Sequence, residues 1–311
     1  MSAIVCRGLS KRFGTLTALE NLEMTVPEGC IFGFLGPNGA GKTTAIRILA
    51  TLSRPTAGEA WVAGASVTAQ PGRARRALGY LPQDVAFPSW MSGKEYLEFA
   101  AELSGMPAAD RRGSAVAALE HMGLADAAKR HIGGYSGGMR QRLGIAQALI
   151  HRPRVLILDE PVAALDPLGR REVLELIAGL RHEATVFFSS HILDDVERVC
   201  DQVAVLAHGK LLAQESTSGL KERYAQPSFL VEVAGSAESL VATLAAEPWV
   251  VQATAHAGFL RILVRDVARA ERELPRLVLA SDLTLVRYEQ VLPSLEDVFV
   301  KLVEPEGGTT A

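Results

Sequence analysis

No charge-free apolar run in this chain approaches the ~20 residues that a bilayer-spanning helix needs, so none of its segments is expected to cross a membrane. The opening Met1-Ser2-Ala3-Ile4-Val5 lacks a basic stretch followed by an apolar one, so no secretory signal is expected. Cysteine is scarce: Cys6, Cys30 and Cys200 lie far apart with no metal-ligand spacing, which fits free thiols in a reducing compartment and excludes a disulfide framework. Charge of one sign is also missing. Lys and Arg total 32 against 35 Asp and Glu, for a net charge of −3, so no basic surface argues for nucleic acid. No internal repeat or low-complexity tract stands out. What remains is ordinary globular composition, 48% hydrophobic and 22% charged, with chain enough in 311 residues for one large or two modest domains.

The most specific feature present is Gly36-Pro37-Asn38-Gly39-Ala40-Gly41-Lys42-Thr43, which fits G-x-x-x-x-G-K-[ST]. Glycines let successive backbone N–H groups converge on one anion, because no Cβ obstructs the curl. Lys42 adds a mobile cation for the β- and γ-phosphates, and the Thr43 hydroxyl suits Mg²⁺. The context agrees. Ile31–Leu35 reads as a buried strand leading in, and Thr43 to Ala50, through Thr44, continues as a helix whose N-terminus faces the phosphates. A nucleoside triphosphate with Mg²⁺ is the expected ligand.

Val155-Leu156-Ile157-Leu158-Asp159-Glu160 describes a central strand delivering two carboxylates to its C-terminal edge, where open α/β sheets hold ligands. Asp159 suits Mg²⁺, and Glu160 suits polarisation of an attacking water. Tyr135-Ser136-Gly137-Gly138-Met139 opens a helix with Ser136 as N-cap, and the two glycines leave its first amides uncovered for an anion. Met139, Leu143, Ala146 and Ile150 fall on one face of that helix.

Phosphate loop, Gln83 in Gly79-Tyr80-Leu81-Pro82-Gln83-Asp84, Tyr-Ser-Gly-Gly-Met, Asp159-Glu160, Ala164-Leu165-Asp166 and Ser189-Ser190-His191 follow one another over residues 3 to about 219. In this order they resemble an ATP-binding cassette (ABC) ATPase. The resemblance implies a P-loop NTPase with a mainly parallel sheet, an antiparallel β flap and a helical subdomain at about 84–150. It implies that two cassettes pair head-to-tail, as a homo- or heterodimer, with Ser136, Gly137 and Gly138 reaching the partner's nucleotide. It assigns Phe13 to the adenine, residues 36–44 to the phosphates, Thr43, Gln83 and Asp159 to Mg²⁺, and to Gln83 also the catalytic link from Mg²⁺ and the attacking water to the membrane partner. Glu160 becomes the general base, His191 the switch histidine on the γ-phosphate, Lys42 the phosphate clamp and Asp166 the loop that communicates across the dimer. Tyr135 stands where many relatives carry Leu, Met139 where Gln is common, and Ala163-Ala164 where Gly or Ser precedes Leu-Asp.

The signature's Tyr-Ser-Gly-Gly-Met form and the ending Pro293-Ser294-Leu295-Glu296-Asp297-Val298-Phe299 are similar to cassettes of multidrug and antibiotic-resistance exporters whose permeases are separate chains. The implied protein is therefore cytoplasmic, peripheral on the inner face of the membrane through a permease partner. A soluble cassette acting as a switch is the alternative, with an importer subunit third. A single phosphate loop, no heptad run and an acidic balance argue against the soluble switch. Between Asp84 and Met106, Phe87, Trp90, Met91 and Tyr96 suit the permease groove, while Leu97 and Phe99 are expected in the subdomain core.

Beyond the cassette, expected at 1–224, the texture changes across Tyr224-Ala225-Gln226-Pro227-Ser228. Phe229–Val233, Phe259–Val264 and Leu283–Tyr288 read as strands, Asp266–Ala280 as a helix, and Ser294 with Asp297 as the capping box of a closing helix. That makes 228–305 a small α+β domain suited to subunit contacts, with His256 and Glu271-Arg272-Glu273 on its surface and 306–311 a frayed tail.

Overall fold

A computed structural model describes every residue except 225–226, 236–237, 257–258, 282, 292–293 and 304–311. The chain divides into two units, Met1–Thr217 and Ser218–Ala311. The boundary falls ahead of the expected linker, so the helix over Thr217–Tyr224 belongs mostly to the second unit. Part of that linker, and the tail 306–311, lie outside the described residues.

The first unit opens with β1 (Ser2–Phe13), β2 (Leu16–Pro27), β3 (Ile31–Leu35), α1 (Lys42–Leu49), β4 (Ala57–Val62) and β5 (Ala65–Ser66). It continues through α2 (Pro71–Arg76), β6 (Leu78–Leu81), α3 (Gly93–Leu103), α4 (Ala108–His121), α5 (Gly137–Leu149) and β7 (Val155–Leu158). It closes with α6 (Pro167–Gly179), β8 (Thr185–Ser190), α7 (Leu193–Val199), β9 (Gln202–Ala207) and β10 (Lys210–Ser216). The second unit carries α8 (Thr217–Tyr224), β11 (Ser228–Ala234), α9 (Glu238–Ala245), β12 (Val250–His256), β13 (Phe259–Val264), α10 (Val267–Ala280), β14 (Thr284–Val291) and α11 (Leu295–Val303).

Two sheets build the first unit. The expected flap is the antiparallel sheet β2-β1-β4-β5, larger than the two short segments legible at Ile4–Leu9 and Leu22–Val26. The second sheet runs β10-β9-β3-β8-β7-β6, parallel from β9 to β6 with β10 antiparallel at its edge. Every residue of β3, β7 and β8 is buried, which is why these strands read as uninterrupted apolar runs rather than alternating ones. Phe187 stacks on Phe32 at 5.6 Å and meets Phe34 at 5.2 Å, locking β8 to β3 at the sheet's centre. The helical subdomain is α3, α4 and α5 with two short 3₁₀ turns. Among the described residues, no helix is long and apolar enough to cross a membrane.

The second unit is a β-α-β-β-α-β chain path with the antiparallel order β12-β13-β11-β14, the arrangement of ferredoxin-like sheets. Its core joins Phe229, Val231, Leu260 and Ile262 to Leu240, Leu244, Leu274 and Val278 from α9 and α10. Helix α9 and strand β12 went unread in the sequence, because each is short and weakly periodic. Ser294 does cap α11: its hydroxyl accepts the Asp297 N–H at 3.2 Å while Asp297 Oδ2 accepts the Ser294 N–H at 3.1 Å. Leu295 and Val298, three apart on α11, are buried. Glu271 and Arg272 are exposed. Pro293 and the side chain of His256 lie outside the described residues.

Candidate nucleotide site

The phosphate loop joins β3 to α1, and its glycines are there for space and conformation. A Cβ on Gly36 would lie 2.3 Å from the Leu206 carbonyl, and Gly41, at φ +105, has the Ala18 carbonyl 2.4 Å from where its Cβ would stand. Ala40 closes the turn by donating to the Pro37 carbonyl at 3.1 Å. No side chain caps α1 at Gly41, so its first amides point into the loop, a ready anion site. Asn38 and Gly39 are exposed, and Thr43 and Thr44 are both half-buried.

Lys42 is 6% exposed, and its Nζ donates to the Gly36 carbonyl at 2.6 Å and the Pro37 carbonyl at 3.3 Å. It also lies 3.5 Å from Glu160 Oε1, while His191 Nδ1 sits 2.7 Å from Glu160 Oε2. Burial pulls the Lys42 ammonium below the usual lysine range, against the opposing charge of Glu160. The structure thus brings together Lys42, Glu160 and His191 in one hydrogen-bonded row.

Asp159 is 1% exposed, and burial raises its carboxyl above the usual aspartate range, offset in part by hydrogen bonds from Ser189 and Thr43. Thr43 and Asp159, both expected to hold Mg²⁺, are therefore neighbours. A buried carboxylate beside a hydroxyl at the end of a parallel strand is a donor set that fits a hard divalent cation. Gln83, the third residue expected there, follows β6 with an exposed side chain and makes no hydrogen bond to this cluster among the described residues.

Two features escaped sequence reading. Ser189 Oγ donates to Asp159 Oδ1 at 2.7 Å and accepts the Glu160 N–H at 3.0 Å, so one hydroxyl orients both acids. The register Leu158↔Phe188 places Ser189 beside Asp159, a juxtaposition visible only once β7 and β8 are known to pair. Glu160 itself has φ 49, a left-handed conformation costing about 1–2 kcal/mol for a residue with a Cβ; such strain concentrates at working sites.

The remaining expected residues lie apart from this row. Ser136 caps α5 by accepting the Met139 N–H at 3.2 Å, leaving Gly137 and Gly138 at an open helix start. No hydrogen bond or ion pair joins Ser136–Gly138 to Lys42, Glu160 or His191 among the described residues, so within one chain the signature is not part of the site. Asp166 caps α6, accepting the Gly169 N–H at 3.3 Å. Just beyond these loops Arg170 of α6 pairs with Asp195 of α7 at 2.7 Å, a link the sequence did not announce. Phe13 ends β1 with 53% exposure, its ring 4.9 Å from Lys11 Nζ and its face open to a planar ligand. Trp90 is 74% exposed and Leu97 fully buried, both in line with expectation. Phe99 corrects it: the helix turns this ring outward to 46% exposure. Phe87 is half-buried, edge-on to Tyr96 at 5.1 Å, so it is core as much as surface.

Comparison with known proteins agrees in both units. The ABC transporter family model matches residues 19–163, and the model for the C-terminal domain of DrrA1-3-like ATP-binding proteins matches residues 216–303. The ABC transporter ATP-binding protein YxlF of Bacillus subtilis (strain 168) is 41% identical over 304 residues, spanning 95% of this chain and 97% of its own. The daunorubicin resistance ATP-binding protein DrrA2 of Streptomyces coeruleorubidus is 36% identical, over 96% of this chain and 94% of its own. Among solved structures, an ATP-binding subunit of an ABC transporter matches with a TM-score of 0.65 at 27% identity, over 72% of this chain and 93% of its own. A dimeric ATP-binding cassette in a post-hydrolysis state bound to ADP and Pi shares the fold, with a TM-score of 0.62 at 24% identity, over 68% of this chain and 98% of its own.

Proposed function

This chain belongs to the ATP-binding subunits of ABC transporters, and from that premise we propose that it hydrolyses ATP to drive export through a separate membrane permease. The observation that carries the ATPase reading is the row Lys42–Glu160–His191 set beside buried Asp159 at the C-terminal edge of the parallel sheet. Support for export, as against import or a soluble switch, is the match of the second unit to the DrrA-type C-terminal domain and the likeness to drug-resistance subunits along nearly the whole chain. The cargo class in this reading is a drug, antibiotic or lipid-like molecule. The chain then sits on the cytoplasmic face through its permease.

Each residue has work to do. Lys42 exchanges Glu160 for the β- and γ-phosphates, one anion for another, so the ammonium stays paired throughout. That exchange frees Glu160 to accept a proton from the attacking water, with Ser189 holding its backbone and His191 its second oxygen. Thr43, Asp159 and Gln83 would hold Mg²⁺, which when bound neutralises phosphate charge as a Lewis acid. The amides at residues 36–44 and the start of α1 cradle the phosphates, and the exposed Phe13 ring stacks on adenine. Ser136, Gly137 and Gly138, idle within their own chain, complete the γ-phosphate site of a second cassette, and Asp166 communicates across that interface. The second unit, an appended domain with its own core, strengthens the pairing.

Glu160→Gln tests this reading. Hydrolysis should fall by about 10²–10⁴-fold, the usual cost of losing a general base, while ATP still binds and an ATP-dependent dimer accumulates in size exclusion. A variant that hydrolyses at the parental rate, or remains monomeric at saturating ATP, removes Glu160 from its role or the head-to-tail pairing from the mechanism.

A further inference from the structure

The departure from Leu at Tyr135 is not an idle one. Its side chain is almost wholly buried, and its hydroxyl packs against Gly93 and donates to the Ala127 carbonyl at 2.8 Å. Gly93 is the first residue of α3, so this contact reaches the very start of that helix. The fit leaves no slack: a Cβ on Gly93 would lie 2.3 Å from the Tyr135 oxygen. The turn ahead of the signature is laced to the same segment. Lys94 N–H donates to the Ala128 carbonyl at 3.0 Å, Ile132 N–H to Met91 at 2.9 Å, and Gly133 N–H to Ser89 at 3.1 Å.

On the signature side, Arg140 Nη1 donates to the Tyr135 carbonyl at 3.0 Å. Arg130 lies over the Tyr135 ring at 5.4 Å and reaches Met139 Sδ at 2.9 Å. Ser136 therefore stands directly after a residue fixed at both its hydroxyl and its carbonyl. A leucine at 135 has no hydroxyl to give the Ala127 carbonyl or to set against Gly93. The segment so tied is also the one that presents apolar surface, with Trp90 74%, Phe99 46% and Leu103 72% exposed.

We propose that Tyr135 is a positioning residue that ties the Ser136–Gly138 turn to the start of α3 and so fixes the aim of that turn. The proposal rests on the reading of Ser136–Gly138 as the contact to a second copy's nucleotide. It adds a coupling element specific to tyrosine at this position and pairs it with glycine at 93.

The test uses the full-length Glu160→Gln chain and measures dimer formation against ATP concentration by analytical ultracentrifugation, with binding of fluorescent ADP by the monomer as the check on folding. Gly93→Ala should raise the ATP concentration for half-dimerisation by about tenfold with ADP binding unchanged, the scale set by losing buried hydrogen bonds. Tyr135→Leu alone should cost less, and the double variant Gly93→Ala/Tyr135→Leu should return to the Tyr135→Leu value, because the clash is gone. A double variant no better than Gly93→Ala overturns the proposal, as does a Gly93→Ala chain that dimerises like its parent. Should Gly93→Ala fail to bind ADP, Tyr135→Phe decides, and an unchanged ATP dependence overturns the proposal. Ser136→Arg separates the underlying reading: dimers that persist with it overturn that reading and the proposal together, whereas their loss beside an indifferent Gly93→Ala overturns the proposal alone.

Discussion

The two units bury different things. The first hides Lys42, Asp159 and Asp195 inside its fold, holds Glu160 in a left-handed conformation, and raises or lowers the pKa of its buried charges. The second buries an apolar cluster, and the described ion pairs within it, Arg261–Asp297, Arg276–Glu273 and Arg287–Glu289, sit partly or largely in water. Burying charge is costly unless partners compensate, and exposed pairs contribute little to stability. One region holds charge in its interior at a cost in stability; the other buries apolar surface and leaves its ion pairs to water.

That contrast breaks most visibly at Lys42. Lys42→Ala removes the proposed phosphate clamp and leaves Glu160 paired with His191 alone, so nucleotide binding and hydrolysis should both collapse in a binding and turnover assay. Retained ATPase would mean the buried charge is structural after all. The opposite half of the comparison is probed by Phe229→Ala, which deletes a fully buried ring stacked on Tyr288 at 5.3 Å. A loss of about 3–5 kcal/mol should melt the second unit by calorimetry, with ADP affinity unchanged. Nucleotide-free dimer should be lost as well, as it should when the chain is ended at Tyr224. An unaltered monomer–dimer balance would assign the second unit some other task.

Trp90→Glu sharpens the surface side. Its ring is largely exposed, so the isolated subunit should keep its ATPase while co-purification with the permease from detergent weakens; Phe87, packed on Tyr96, is the poorer choice. The smallest effect belongs to His151. Burial lowers its pKa below 6.5, and its Nε2 lies 3.1 Å from the Leu78 carbonyl, so the folded state holds it neutral with Nε2 as donor. Below pH 6.5 the unfolded chain takes up a proton that the folded one refuses. Its contribution is thus intact above that pH and lost as pH falls toward the lowered value. Chemical denaturation between pH 7 and 5 should show this slope, and His151→Gln should flatten it.

Much of this was legible in residue order. The phosphate loop, the strand ending in Asp159-Glu160, the Ser136 cap and the capping box at Ser294 are local devices: each needs only a short stretch of chain in one conformation, so its signature survives in sequence. The same locality explains the error at Phe99, since helical spacing says which residues share a face but not which face a distant helix covers.

Sequence by itself therefore determined the family this chain belongs to, that the candidate nucleotide site lies at a strand edge, and that a second small domain follows. Tertiary structure alone decided how those pieces meet. Ser189 bridges Asp159 and Glu160 because β7 and β8 are adjacent, Arg170 finds Asp195 because α6 packs on α7, and Tyr135 packs against Gly93 although the two are far apart in sequence. Such pairings depend on distances between residues remote in sequence, which only the packed sheet and helices set.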